Sequence, residues 1–516
     1  MKHRRKTNDL PTRFPIYSTL IDDNIEKGSW MYHPLYRIRL IFLSRFNMTS
    51  KNIAIVAMVV VIAVAAYAAL MLGSDIGNDS SDDATDYLTP DSGKAKVASI
   101  DTKLLVFGNS NNDVYLDEKD VQFIQDIIDG KTKWDKDENP FADTNADGRI
   151  TTEDVALLKR FIDRRDARMF YVNSNLDTVS VEWPLAGNII IGGLNDADIL
   201  KIIGKQSSVV GIYDHDPKDL DKTLYPEAVD WKYGGKYPYD YETVVAMKGS
   251  ILMGQGYMYT EEFDKKVRDG YDKIRIDSVK LHEARFINNV DGVACTITMG
   301  ALMNCFDYPT YKKYLDYVAD VESIIGKATS NIPAGKELTY ALLTSHSCNS
   351  PTSLGIDNKS LSGIDYGDIG TVSYLKLTNA IPAADNGYIT GLSVENILKY
   401  DPDVIIIEAV GFYNNNKTFA EYQAKVNEIA GWFAAAGDYC SAYKNNMIFG
   451  TNFDVFGNAP SISVIPLMVS LIYGEDVYPS EEAWKSLAYY YNTFLGNNYT
   501  VEELKKSVIA PYRVTF

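Results

Sequence analysis

Twelve residues, from Asp143 to Asp154, set hard oxygen donors at alternate positions along the chain. Asp143, Asn145 and Asp147 take the first, third and fifth places, Thr151 the ninth and Asp154 the twelfth. Arg149 offers its backbone carbonyl at the seventh place. Gly148 stands sixth, where the chain must turn sharply, and apolar Ile150 stands eighth. This is the donor spacing of a calcium loop, because Ca²⁺ is a hard cation that collects oxygens from a flexible ring of ligands. A second series lies earlier: Asn109, Asn111, Asp113, Tyr115 (by its carbonyl), Asp117 and Asp120 occupy the same places, and Leu116 matches Ile150. Its fit is looser, with Asn at the first place and Val114 at the sixth. The pair predicts one or two bound Ca²⁺; the competing reading is an acidic turn before a helix that binds no metal.

Each series runs into one helix, and in the second Val155, Leu158 and Ile162 share a side. Two such loops, each followed by a helix and each closed by Asp rather than Glu, resemble the dockerin module over about residues 104–164. The resemblance implies a small all-α unit that folds on binding calcium. It also implies a cohesin-like partner, although a calcium-stabilised spacer is equally compatible with the residues.

Two stretches further on have a common order. Residues 393–408, SVENILKYDPDVIIIE, read as a short helix, a break at Asp401-Pro402-Asp403 and a strand. The run Val404-Ile405-Ile406-Ile407 is apolar and β-branched throughout, as a strand covered on both faces requires. Residues 239–256 repeat the plan more loosely, with Glu242 leading, a turn at Lys248-Gly249 and a strand at 251–253. Two related units predict two similar α/β lobes. Between them, Tyr311, Tyr314, Leu315, Val318, Val321 and Ile324 recur at helical spacing and predict one long connecting helix. In open α/β folds ligands sit beyond the carboxyl ends of strands. That rule nominates Tyr213, His215, Gln255, Tyr257, His346, Glu408, Asn452 and Phe453 as ligand contacts.

This pattern resembles the helix-hinged substrate-binding proteins of ABC importers for iron-siderophores, haem and cobalamin. The matching stretches are VVGIYDHDPKDL, YETVVAMKGSILMG, VENILKYDPDVIIIE and MIFGTNFDVFGNAPSISVIPLMVSLIYGEDVYP. They depart from the family in Lys248-Gly249, where it has Pro-Asp, and in the long loop 216–239. The resemblance implies two Rossmann-like α/β lobes, transport of an iron chelate, haem or corrinoid, and no enzymatic activity. It further implies that Glu242 and Glu395 dock on arginines of an ABC permease. A cell-surface adhesion or scaffold protein that recruits a cohesin-like partner is the alternative.

The flanks agree with an outward-facing protein. Residues 53–73 carry no charge, and about 20 apolar residues cross a bilayer core. Residues 1–51 hold ten Lys+Arg against four Asp+Glu, so this basic side stays inside. The net charge of −18 less this +6 leaves −24 for the rest, which argues against nucleic acid as a partner. A cleaved signal peptide is the rival reading. The four cysteines match no zinc pattern and read as buried thiols or as one or two disulfides. With hydrophobic residues at 46% the chain has the means for a sizeable core.

The expected order is therefore a cytoplasmic tail or misassigned start at 1–51, a single transmembrane helix at 52–73 and a flexible linker at 74–100. The calcium module follows at 101–168, the first lobe at 169–306, the connecting helix at 307–332 and the second lobe at 333–516. The expected location is the cell membrane, with the bulk of the chain extracellular.

Overall fold

A computed structural model describes residues 104–516 apart from 174–177, 255–259, 267–276, 280–292, 336–337, 358–359, 362–363, 366–371, 382–387, 411–416, 453–454, 456–460 and a few single positions. The chain divides into two units, 1–82 and 83–516, and all described residues belong to the second. The expected tail, span and linker lie outside the described residues. Among the described residues no helix is long and apolar enough to cross a membrane.

Helices α1 (Glu118–Ile128) and α2 (Thr152–Ile162) follow the two donor series. Each opens with a capping box, Asp117 with Asp120 and Thr151 with Asp154, so the closing acid of each loop also starts a helix. Their inner faces bury Val121, Ile124, Leu158 and Phe161. The antiparallel hairpin β1 (Ala167–Val172) and β2 (Thr178–Trp183) comes next. Val106 bridges to Tyr171 from the other side, so the segment before the first loop joins this hairpin.

The first α/β layer is a parallel sheet ordered β5-β4-β3-β6-β7. Its strands are β3 (Ile189–Ile191), β4 (Val209–Ile212), β5 (Lys232–Tyr233), β6 (Ile251–Met253) and β7 (Asp277–Val279). Helix α3 (Leu194–Ile202) follows β3, and α4 (Tyr241–Met247) leads into β6. The second sheet has β8 (Leu338–Thr344), β14 (Val404–Ala409) and β15 (Ile448–Asn452) as its parallel centre. Antiparallel β9 (Leu354–Asp357), β13 (Tyr388–Leu392) and β16 (Tyr512–Arg513) extend it, β12 (Leu377–Asn379) pairs with β8, and β10 (Ser360–Leu361) and β11 (Ile364–Asp365) form a separate antiparallel pair. The unit at 393–408 folds as read: α8 (Val394–Leu398), a turn, then β14 with every residue buried. Val404 and Ile406 join one core and Ile405 and Ile407 another, so both faces of the strand are covered.

Helix α5 (Val293–Leu302) is buried on all sides, which suits its uncharged sequence of apolar and small residues. The single connecting helix expected at 307–332 is two helices: α6 (Pro309–Ala319) and α7 (Val321–Thr329). Asp320 ends the first and starts the second at φ −89°, ψ −2°, in the bridge region. The apolar spacing continues through that point, which is why periodicity alone predicted a single helix. Asp is a weak helix-interior residue and stands here at the boundary between the two helices.

Gly300 lets α5 and α6 approach closely. A Cβ there would lie 2.2 Å from Cε2 of the buried Tyr311 ring, whose hydroxyl is bonded to the Ile297 carbonyl. Gly300→Ala therefore overpacks a site with no slack and should cost about 2–3 kcal/mol. The urea midpoint of the full chain measures this, and an unchanged midpoint would show that the helices can move apart. All four cysteines are buried and free, in keeping with the thiol reading.

Candidate functional site

The two donor series form loops that share a common set of hydrogen bonds. The closing acid accepts from the backbone N–H at the third place: Asn111 to Asp120 at 3.3 Å, and Asn145 to Asp154 at 3.2 Å. It also accepts from the ninth: Asp117 to Asp120 at 3.0 Å, and Thr151 to Asp154 at 2.8 Å. The fifth-place carboxylate accepts from the seventh N–H, Tyr115 to Asp113 at 2.7 Å and Arg149 to Asp147 at 2.9 Å. Both loops take a positive φ at the fourth place, Asn112 at 61° and Ala146 at 53°. They differ where their sequences differ. Gly148 sits at φ +88° and donates to Asp143, whereas Asn109 turns its amide to the carbonyls of Leu104 and Asp113.

Among the described residues no three His, Cys, Asp or Glu side chains are drawn together as a metal cage. The donor chemistry nevertheless suits a hard cation. Burial pushes Asp143 and Asp154 above the usual carboxylate range and Asp120 up to about 7. Carboxylates withheld from water beside one another are what a divalent cation would offset.

The two Glu-led units also correspond. Glu242 and Glu395 are each the second residue of a short helix, both exposed, behind a side-chain cap. Asp240 accepts from Thr243 N–H at 2.9 Å, and the Ser393 hydroxyl from Asn396 N–H at 3.2 Å. Each helix is followed by a non-glycine residue at positive φ, Lys248 at 63° and Asp401 at 40°. Each then enters a strand beside the first strand of its sheet, β6 against β3 and β14 against β8. The Pro-Asp departure at Lys248-Gly249 thus leaves the plan of the unit intact.

His215 lies at the end of β4 in a 520 Å³ pocket with Asp214, Asp216, Lys218, Asp219, Tyr233 and Lys236. Lys236 Nζ is 2.8 Å from Asp214 Oδ1, and His215 Nε2 is 3.8 Å from Asp214 Oδ2. Asp214 itself is held at φ +65° by the N–H it donates to the Gly235 carbonyl at 2.8 Å. Tyr233 and Lys236 were not nominated from sequence. They arrive because β5 pairs with β4, a contact that leaves no periodic signal in this Tyr, Lys and Gly loop. Burial holds His215 below the ordinary histidine value; Asp214 opposes that shift and Lys236 adds to it.

A histidine with a lowered folded pKa stabilises the fold above its unfolded value of about 6.5, and that contribution is lost as pH falls through the folded value. His215→Asn should therefore flatten the fall in melting temperature between about pH 7 and pH 5. Equal slopes in variant and wild type would sink this assignment.

The other nominees separate. Tyr213 is not a surface contact: it is fully buried, its ring lies edge-on to Tyr239 at 4.7 Å, and its hydroxyl meets the Asp240 backbone. It braces the cap of the Glu242 helix. His346 is exposed in a single turn directly after β8. Glu408 and Asn452 are fully buried. Glu408 stands in register between Thr344 and Thr451, and Asn452 Nδ2 donates to the Val508 carbonyl at 3.0 Å. The periodicity that places a residue at a strand end does not say whether a neighbouring loop covers it. Gln255, Tyr257 and Phe453 lie outside the described residues.

Fold and site together define an α/β chain with two parallel-centred sheets, a pair of matched acidic helix heads and a small two-loop module. Among solved structures the chain is similar to a periplasmic solute binding protein from Veillonella parvula DSM 2008, at 16% identity and a TM-score of 0.47 over 66% of this chain and 97% of that one. It is also similar to the TroA-like periplasmic binding protein FepB from Veillonella parvula, at 12% identity and a TM-score of 0.48 over 64% and 97%. A periplasmic heme binding protein from Pseudomonas aeruginosa is similar at 15% identity and a TM-score of 0.39 over 56% and 93%. No protein-family model and no curated protein matches the chain.

Proposed function

We propose that this chain is a membrane-anchored, outward-facing substrate-binding protein of an ABC importer, which captures an iron chelate, haem or corrinoid and passes it to a permease. The observation that carries this reading is the pair Glu242 and Glu395. They occupy the same place in the same local unit on two different sheets, and both face solvent. Two carboxylates so placed would let a permease read both lobes at once. His215 and His346 are the exposed or half-buried imidazoles at strand ends, one per lobe, and suit contact with a metal chelate.

This is binding rather than catalysis. The one cysteine near a strand-end histidine, Cys348, is buried, and burial pushes its thiol up, away from the thiolate a nucleophile needs. The absorbance spectrum and mass of whatever co-purifies with the chain test the reading. A haem, corrinoid or ferric-chelate band is the expected result. A chain that purifies colourless and shows no fluorescence quenching with haem, cyanocobalamin or a ferric catecholate would overturn it.

The two loops are read as Ca²⁺ sites, with the second the tighter. Asp143, Asn145, Asp147, Thr151, Asp154 and the Arg149 carbonyl would hold one ion, and Asn109, Asn111, Asp113, Asp117, Asp120 and the Tyr115 carbonyl the other. At 100-fold excess over its dissociation constant one ion adds about 2.7 kcal/mol. Adding EGTA to the full chain should therefore lower its melting temperature by several degrees, and no shift would remove the calcium assignment.

A further inference from the structure

The two-loop module is built into the body along a continuous seam. Its first segment runs beside the hairpin: Phe107 N–H donates to the Phe170 carbonyl and Val172 N–H to the Leu105 carbonyl, both at 2.9 Å. Leu105 N–H donates at 3.0 Å to the buried hydroxyl of Thr298 on α5, 193 positions away. At the far end of α2, Phe161 lies edge-on to Trp183 at 5.3 Å, and the Trp183 indole donates to the Ala301 carbonyl at 2.7 Å. The Arg164 guanidinium sits 4.3 Å from the centre of the Phe306 ring. Phe107, Phe161, Phe170, Trp183 and Phe306 share one apolar core with α6 and with the second sheet.

One contact of the seam belongs to the first loop itself. Tyr115 supplies the seventh-place carbonyl, and its phenol donates to Asp316 Oδ1 on the connecting helix α6 at 2.8 Å. The backbone of this residue is thus a loop donor while its side chain holds the element that joins the two lobes. A loop rearrangement that displaces the Tyr115 Cα would carry the phenol with it.

We propose that the state of the first loop is transmitted to the connecting helix through Tyr115 and Asp316, so that the module acts as a calcium-sensitive brace on the joint between the lobes. The proposal rests on the reading that the loop binds Ca²⁺. It needs only two loop states, filled and empty, that differ in how firmly they place Tyr115. A coupling of ordinary size changes local opening by about 5- to 150-fold.

Hydrogen exchange on the full chain in detergent, in CaCl₂ and in EGTA, tests it on the wild type, Tyr115→Phe and Asp316→Ala. Tyr115→Phe removes one oxygen and leaves the carbonyl donor and the ring packing in place. The expected result is that calcium slows exchange in Pro309–Ala319 by at least about fivefold as well as in the loops. Both variants should keep the slowing in the loops and lose it in Pro309–Ala319. Slowing confined to the loops in the wild type would overturn the proposal, as would an unaltered helix response in the variants. Equilibrium dialysis with radioactive calcium separates the two levels: a chain that binds no ion removes the calcium reading, and this inference with it.

Discussion

Replacing Glu242 and Glu395 together by alanine should leave ligand affinity unchanged and abolish permease-stimulated ATP hydrolysis in reconstituted vesicles. Both carboxylates are exposed, and neither lines the pocket around His215, so the fold and the proposed ligand site should lose nothing. Their helices keep their caps, because Asp240 and Ser393 remain. Removing one partner of a desolvated interfacial charge pair costs about 2–5 kcal/mol. Two such losses weaken docking by about a thousandfold or more, since each 1.4 kcal/mol is a factor of ten. Each single variant should retain part of the stimulation. Full stimulation in the double variant would refute docking through these residues, and a changed ligand affinity would place them in the binding site instead.

The second large effect is expected at Trp183. It is only 2% exposed, it meets Phe161 of α2, and its indole N–H satisfies the Ala301 carbonyl near the end of α5. Trp183→Ala removes the ring and leaves that carbonyl without this donor, at a cost of about 3–5 kcal/mol. Because the ring lies in the seam, the loss should uncouple the module, and an early transition should precede the main one in urea. Tyr439→Ala, at a side chain 85% exposed, is the control and should leave the midpoint in place. A single unshifted transition in Trp183→Ala would mean that the seam carries little energy.

Much of this architecture was legible in the sequence, and for local reasons. A loop that alternates oxygen donors and closes on Asp has few other ways to satisfy its backbone, and both loops adopt the same bond pattern. The β-branched run from Val404 to Ile407 suited a strand buried on both faces, and it forms one. The break at Asp401-Pro402-Asp403 marked the end of the short helix before that strand, and only the structure showed that Ser393 and Asn396 cap its start.

What the sequence left open was decided by contacts between residues far apart. Tyr213 and Glu408 have the right strand-end position for ligand contact, yet neighbouring elements cover both. Lys236 and Tyr233 reach His215 only through the pairing of β5 with β4. Tyr115 and Asp316 lie 201 positions apart, and no local pattern joins a loop tyrosine to a helix aspartate. Periodicity and spacing are properties of a dozen neighbouring residues, so they determined the two matched acidic loops, the strands and the paired Glu-led units. Burial and cross-element hydrogen bonds depend on how those pieces close on one another. The tertiary structure therefore decided that the module is part of the body and which strand-end side chains face outward.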